Sequence, residues 1–402
     1  MKKWSLLFVG FWMSLFLCVS SVSVNALGVS AQYACVMDSL SGRVLYAKNA
    51  YARHSMASTT KIMTALVALE NGDVSDVVTV SANAAGTEGS SIYLKAGEKI
   101  TLGDLLYGLM LESGNDAAIA IAEHIGGSVE KFAAMMNAKA REIGAKNTQF
   151  RNPNGLDEEG HFTTAYDLAL ISREALRNPV FAEIVSTKRK TIQNGEENYG
   201  RVLSNHNKLL TLYSGCDGVK TGFTKKTGRC LVSAATKNHF QVIAVTLNAP
   251  DDWNDHMHML DYAFERYKAR PLVLKDMVIK TIPVKNGEVA DLELLSDGEF
   301  YLTLEEKEGL DRVKLEYDVP SQIPAPVQKG TILGKLKIYY EKALVKEIDL
   351  CAAADVSYVE PPKQSILEHI KQFIGQWFGK KDIDNQQPRE EKQAEQLSRH
   401  YE

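Results

Sequence analysis

Cysteine is scarce in this chain: five residues in 402, with no C-x-x-C pair among them. That spacing leaves zinc and dithiol redox sites without support. The pair His256 and His258 has no neighbours that complete a ligand set, so a metal is not expected. An excess of one charge is also missing, since 46 Lys and Arg face 50 Asp and Glu for a net charge of −4. Nothing in that balance suggests a nucleic-acid partner. Long apolar runs are confined to the N-terminus, where Lys2 and Lys3 precede an apolar stretch from Trp4 to about Val19 and small residues follow at Val24 and Ala26. This reads as a secretory signal over residues 1–26, cut after Ala26, with an uncleaved anchor as the other reading. Leu17 stands before Cys18 where a lipoprotein signal needs a small residue. Cleavage leaves Cys35, Cys216, Cys230 and Cys351. Cys216 and Cys230 flank one strand without being fixed opposite each other, so buried free thiols are expected there rather than a disulfide.

What is present is a set of three short strings in one order: Ser58-Thr59-Thr60-Lys61, Ser113-Gly114-Asn115 and Lys220-Thr221-Gly222. Each string alone can arise by chance, and the ordered set carries the signal. A serine hydroxyl is a weak nucleophile and needs a neighbouring base. On a helix the last residue of S-x-x-K lies about one turn on, which lets the Lys61 amine reach the Ser58 hydroxyl. Ile62, Met63, Leu66, Val67 and Leu69 follow before the chain stops at Asn71-Gly72, so a helix is expected to begin near Ser58, bury one face and take Lys61 partly out of water. A base must spend time neutral, and neutralising a reference lysine near pH 7 costs about 4 kcal/mol. Burial can supply a shift of that size, and a second amine from Lys220 in the same cleft adds repulsion. The opposite reading, two solvated surface lysines, is weakened by the motif set.

Along the chain, Gly28 to Asn49 reads as a β-hairpin. Leu102 to Gly127 has a helical pattern broken at Ser113-Gly114, with Thr101 and Asp104 as a capping box. Ser113 and Asn115 thus lie between two helices, where Asn115 can face a cleft, cap the second helix, or both. Further helices are expected from Val129 to Ile143 and, capped by Thr164 and Asp167, through Leu176. Strands follow at Gly218 to Gly222, Leu231 to Thr236 and Val242 to Leu247. Helices in the middle and strands at both ends imply one antiparallel sheet covered by helices.

The stretch from Val36 to about Tyr267 resembles the catalytic domain of low-molecular-mass penicillin-binding proteins of the serine D-alanyl-D-alanine carboxypeptidase type (peptidase family S11). The resemblance rests on the three strings together with Tyr107 to Ala118, Asn152-Pro153-Asn154-Gly155-Leu156 and Asp217-Gly218-Val219. Thr87-Glu88-Gly89-Ser90 and Asp251 to Met257 are similar to the sporulation-associated branch of bacilli. It implies an α/β (α+β) penicillin-binding/β-lactamase-like fold over residues 27–270. It also implies removal of the terminal D-alanine from peptidoglycan stem pentapeptides, inhibition by β-lactams, and no metal or organic cofactor. Carried over by motif, Ser58 is the nucleophile, Lys61 its base and Ser113 the proton relay. Asn115 bonds the peptide, while Lys220 and Thr221, beside Gly222, bind the terminal carboxylate. The N–H groups of Ser58 and Phe223 form the oxyanion hole. The middle string is S-G-N rather than the S-D-N of class A β-lactamases. A β-lactamase remains one alternative, with Glu158 and Glu159 in the corresponding loop, and an acylated sensor that does not turn over is another.

After Arg270 the character changes. Strand-like pieces at Val278 to Val284, Phe300 to Leu304, Val313 to Tyr317 and Ile332 to Tyr339, punctuated by Asn286-Gly287, Asp297-Gly298 and Lys329-Gly330, imply a small β-rich domain over residues 271–358. Ile366, Leu367, Ile370, Phe373, Ile374, Trp377 and Phe378 then recur at helical spacing. Residues 365–381 are expected to form an amphipathic helix too short to span a bilayer, which can lie in the membrane interface or pack on a partner. Residues 382–402 are polar and expected to be disordered. The implied location is outside the cytoplasm, on the outer face of the cytoplasmic membrane, with the forespore intermembrane space as a specific case.

Overall fold

The computed structural model describes residues 27–193 and 200–361. The signal segment 1–26, the amphipathic segment 365–381 and the tail 382–402 lie outside the described residues. Five strands, β1 (Tyr33–Asp38), β2 (Val44–Lys48), β3 (Cys216–Thr224), β4 (Gly228–Lys237) and β5 (Phe240–Leu247), form one antiparallel sheet in the order β2-β1-β5-β4-β3. The two chain ends of this region therefore meet side by side, β1 against β5.

Side-chain alternation along the strands feeds two cores. Cys35 and Met37 of β1, with Ile243 and Val245 of β5, join the core of the helical face, while Ala34, Val36, Val242 and Ala244 face the other. The first core is closed by α1 (Lys61–Asn71), α2 (Leu102–Leu111), α3 (Asn115–Gly126), α4 (Val129–Ile143), α5 (Ala165–Leu176) and α6 (Pro179–Ser186). The second is closed by α7 (Asp252–Arg266) through Met259, Leu260 and Ala263. Each fully buried side chain of Leu or Met size contributes about 1.5–3 kcal/mol.

Helix α1 enters the interior from its N-terminus: every residue from Lys61 to Ala68 is buried, and only its last turn reaches the surface. It starts later than the sequence pattern implies, because Ala57–Thr60 form a 3-10 turn and Lys61 is the first α-helical residue. The expected break in the second helical run falls between Leu111 and Asn115. The Thr101 hydroxyl accepts from the Asp104 N–H, and the Thr164 hydroxyl from the Asp167 N–H. Asn115 does not cap α3; it is its first residue, Gly114 is the N-cap, and the Asn115 side chain points elsewhere. Cys216 pairs with Ala235 and Cys230 with Gly222, so the two sulfurs are far out of register and both thiols are free.

By contact density the described residues up to 276, with 298–317 and 336–348, make one compact unit, and 277–297, 318–335 and 349 onward a second. Within the first, β6 (Tyr267–Val273) pairs antiparallel with Phe300–Glu305. Within the second, Val278–Lys285 pairs antiparallel with Asp291–Ser296, whose end lies beside Leu350, Cys351 and Ala352. Its buried side chains are largely apolar, among them Ile282, Leu292, Leu294, Ile323, Leu350 and Val356. The strands Asp291–Ser296 and Ala343–Ala352 have no counterpart in the sequence reading, since their Glu, Asp and Lys residues hide the alternation.

Candidate active site

The structure brings the three strings together. Lys61 is fully buried; its Nζ lies 3.1 Å from Ser58 Oγ and donates to Asn115 Oδ1 at 2.7 Å and to the Asn154 carbonyl at 2.6 Å. Asn154 was not singled out as a site residue by sequence, although it stands inside the N-P-N-G-L string. Burial chiefly, then the Lys220 cation, holds the Lys61 amine well below the ordinary lysine value, against a pull upward from Asp116. A neutral amine has two hydrogens and one lone pair. The two shorter bonds hold the hydrogens, which leaves the lone pair directed at the Ser58 hydroxyl.

The turn that carries Ser58 is strained and braced. Ala57 has φ +48, a left-handed conformation costly for a side chain other than glycine. Thr60 Oγ1 donates to the Ala57 carbonyl at 2.7 Å and meets His161 Nε2 at 2.8 Å. His161 Nδ1 accepts from the Arg151 N–H, so Nε2 carries the hydrogen. Burial pushes His161 down to about 4, and the ring is neutral at pH 7. Gly155 (φ +87) makes the close approach possible: a Cβ there would lie 2.0 Å from the Ala57 oxygen. On the other side Gly222 of β3 lies so near that a Cβ would sit 3.1 Å from the Ser58 nitrogen. His54, Ser55 and Asp157 all bond Thr227, stitching the β3–β4 turn to these loops.

Ser113 is buried with φ +62 at the break between α2 and α3. Asn115 is expected at the peptide, yet its amide is engaged with Lys61 through Oδ1 and with the Glu88 carbonyl through Nδ2. Lys220 is 1% exposed, donates to the Thr221 carbonyl at 3.0 Å and is lowered by burial to about 7, with Glu112 pulling the other way. Ser58, Ser113, Thr221, Gly222 and Phe223 line one cleft of about 380 Å³. The Phe223 ring is exposed. Asp252 is the one carboxylate among the lining residues, and Arg229 holds its Oδ1 at 2.8 and 3.0 Å. Glu158 instead accepts from Asn152 Nδ2. His256 is bonded to Ser233 and Thr246 inside the protein.

Residues 20–251 match the family model described as D-alanyl-D-alanine carboxypeptidase, and residues 267–358 the model of the penicillin-binding protein 5 C-terminal domain. The D-alanyl-D-alanine carboxypeptidase DacF of Bacillus subtilis is 36% identical over 362 residues, covering 88% of this chain and 91% of that protein. DacC of Escherichia coli is 31% identical over 376 residues, covering 89% and 92%. Among solved structures, penicillin binding protein 5 of Haemophilus influenzae superposes with a TM-score of 0.60 at 29% identity, over 82% of this chain and 98% of the other. A peptidoglycan synthesis regulatory factor (PBP3) from Streptococcus pneumoniae gives 0.70 at 26% identity, over 82% and 100%.

Proposed function

This chain belongs to the D-alanyl-D-alanine carboxypeptidase family, and on that premise we propose how its cleft performs the family's reaction. The protein is a serine-type D-Ala-D-Ala carboxypeptidase acting on peptidoglycan. The observation that carries the residue assignment is the contact of Lys61 with Ser58, flanked by Ser113 and the Lys220 strand.

Neutral Lys61 takes the Ser58 proton as Oγ bonds to the carbonyl carbon of the penultimate D-alanine. The N–H groups of Ser58 and Phe223 hold the oxyanion, each donor of this kind being worth about 10²–10³ in rate. The proton passes through Ser113 to the amine of the terminal D-alanine as the C–N bond breaks, leaving an ester on Ser58. Water then attacks the ester, its proton goes to Lys61, and Ser58 recovers a proton as the shortened peptide leaves. Lys220 and the Thr221 hydroxyl bind the terminal carboxylate, and Gly222 keeps the strand close enough for this. Asn115 orients Lys61 and has a second Nδ2 hydrogen for a peptide carbonyl. β-Lactams acylate the same serine. The β-lactamase alternative is disfavoured because Asp252, the one carboxylate among the described residues that line the cleft, is paired with Arg229.

D-Alanine release from a D-Ala-D-Ala pentapeptide by the wild type, and none by Ser58→Ala, is the expected result. Penicillin labelling of Ser58 without release would instead favour the sensor. We also place the enzyme outside the cytoplasm, exported by residues 1–26 and held at the membrane surface by 365–381. The strings Thr87 to Ser90 and Asp251 to Met257, similar to the sporulation-associated branch of bacilli, are the ground for a role in spore cortex. Deleting residues 365–381 should release the processed protein from membranes with activity intact; retention of the deletion variant at the membrane sinks the anchor.

A further inference from the structure

The cleft holds two buried amines, and the reaction requires them to differ in charge. Lys61 faces three neutral acceptors within 3.1 Å, a setting that stabilises an ammonium. Lys220 has the Thr221 carbonyl at 3.0 Å. On these hydrogen bonds alone a shared proton settles on Lys61, and Ser58 loses its base.

Two carboxylates stand beside the pair: Asp116 follows Asn115, which bonds Lys61, and Glu112 precedes Ser113, which shares the cleft with Thr221. Asp116, on the Lys61 side, is occupied by the Ser91 hydroxyl and the N–H groups of Ile92, Leu94 and Ala117. Glu112 ends α2 beside Ser113, and its oxygens have two partners: the Ser204 N–H at 2.6 Å and His206 Nε2 at 3.0 Å. The strand that supplies Ser204 is fixed in turn by the Arg201 pair with Glu98. The Glu112 carboxylate is therefore held in place, and its partner His206 lines the same cleft as Ser113 and Thr221.

We propose that Glu112 is a positioning residue for the lysine pair: its fixed carboxylate keeps the cation on Lys220, and that cation keeps Lys61 neutral. Glu112 is the charge that opposes the lowering of Lys220 by burial, and after burial Lys220 is the charge that lowers Lys61. The other titratable or charged groups facing the pair are His206 on Glu112, Asp116 behind Lys61, and Lys208 and the Arg229–Asp252 pair along the cleft. The assignment rests on the carboxypeptidase reading of the cleft.

Glu112→Gln in the full chain keeps the side chain's size and its acceptor for Ser204. The test is the pH profile of kcat/KM for D-alanine release, run beside the pH profile of Ser58 acylation by a fluorescent penicillin. The acid limb, where Lys61 takes a proton, should move up by about one pH unit, and the alkaline limb, where Lys220 loses one, should move down by about as much. KM for the peptide should rise about tenfold, and Glu112→Asp should restore most of both effects. Unmoved limbs with a uniform loss of kcat would mean that Glu112 only holds its loop, and would overturn the proposal. If Glu112→Gln does not fold, His206→Gln decides. Freeing the carboxylate of its imidazole should raise the alkaline limb, and an unmoved limb again overturns the proposal. A wild type that releases no D-alanine refutes the carboxypeptidase reading, and the acylation profile still decides the role of Glu112.

Discussion

The cleft and the second compact unit are built on opposite rules. Around Ser58 the buried groups are polar or charged: Lys61, Lys220, Asn115, Asp116, Asn154 and His161. Among the described residues, the two buried non-glycine positions with a left-handed backbone, Ala57 and Ser113, lie there too. In the second unit the buried residues are largely apolar, from Ile282 and Leu294 to Leu350 and Val356. Apolar burial stabilises without geometric demands beyond packing, whereas buried amines cost stability and persist only where their chemistry is used. The difference teaches where substitutions should trade stability against activity and where they should touch stability alone.

The largest test of that contrast is Lys220→Met. D-Alanine release should fall about 10³-fold, since a cation aimed at the substrate carboxylate is removed. The apo protein should nevertheless gain stability at neutral pH. Lys220 is lowered in the folded state to about 7, below its unfolded value, so the unfolded chain binds more protons between these pH values and stability rises with pH across that window. The penalty is full below pH 7 and vanishes above the unfolded lysine value. Urea unfolding should therefore show Lys220→Met more stable by about 2–4 kcal/mol at pH 7, with the gain fading towards pH 10. A variant less stable than wild type at pH 7 would break the contrast.

Local pattern made part of the site legible. S-x-x-K spacing places Lys61 within reach of Ser58, and the break at Ser113-Gly114 is visible as lost periodicity. The central strands β1, β4 and β5 are readable because both their faces are buried and their runs apolar. What local pattern does not carry is the set of partners brought by folding. Asn115 reaches Lys61 across 54 positions and the Asn154 carbonyl across 93. Glu112 and His206 look like ordinary surface charges until the fold pairs them. Nor does Ala57-Ser58-Thr59-Thr60 announce a left-handed residue, because no glycine marks it; the nearby marker is Gly155, nearly a hundred residues on and unreadable as the neighbour of Ala57.

That neighbour supplies the intermediate test. Gly155→Ala places a methyl 2.0 Å from the Ala57 oxygen and must displace the turn that carries Ser58. We expect a loss of about 2–4 kcal/mol in stability from clash and positive φ together. At a temperature where the variant remains folded, D-alanine release should still fall about 10²-fold, since a shift near 1 Å in the nucleophile has that effect. Normal kcat in a destabilised Gly155→Ala protein would show that the strained turn is not needed to aim Ser58.

The smallest effect is expected from the matching glycine of the second unit. Gly330 has nearly the same backbone conformation, φ +82 against +87 for Gly155, yet a Cβ there meets nothing within 4 Å. Its N–H donates to the Ala352 carbonyl at 2.9 Å, and the following Thr331 N–H closes a turn on Gln328. Neither bond involves the side chain, so both survive substitution. Gly330→Ala therefore isolates the cost of a left-handed alanine, about 1–2 kcal/mol, reduced by up to about 1 kcal/mol because alanine also restricts the unfolded chain. The net loss should be about 1 kcal/mol by urea unfolding, with kcat and KM for D-alanine release unchanged. Since the two glycines share a conformation and differ in what surrounds them, the gap between the two variants measures the Ala57 contact itself; an activity loss in Gly330→Ala matching that of Gly155→Ala would mean that the conformation, and not the contact at the nucleophile, is what matters.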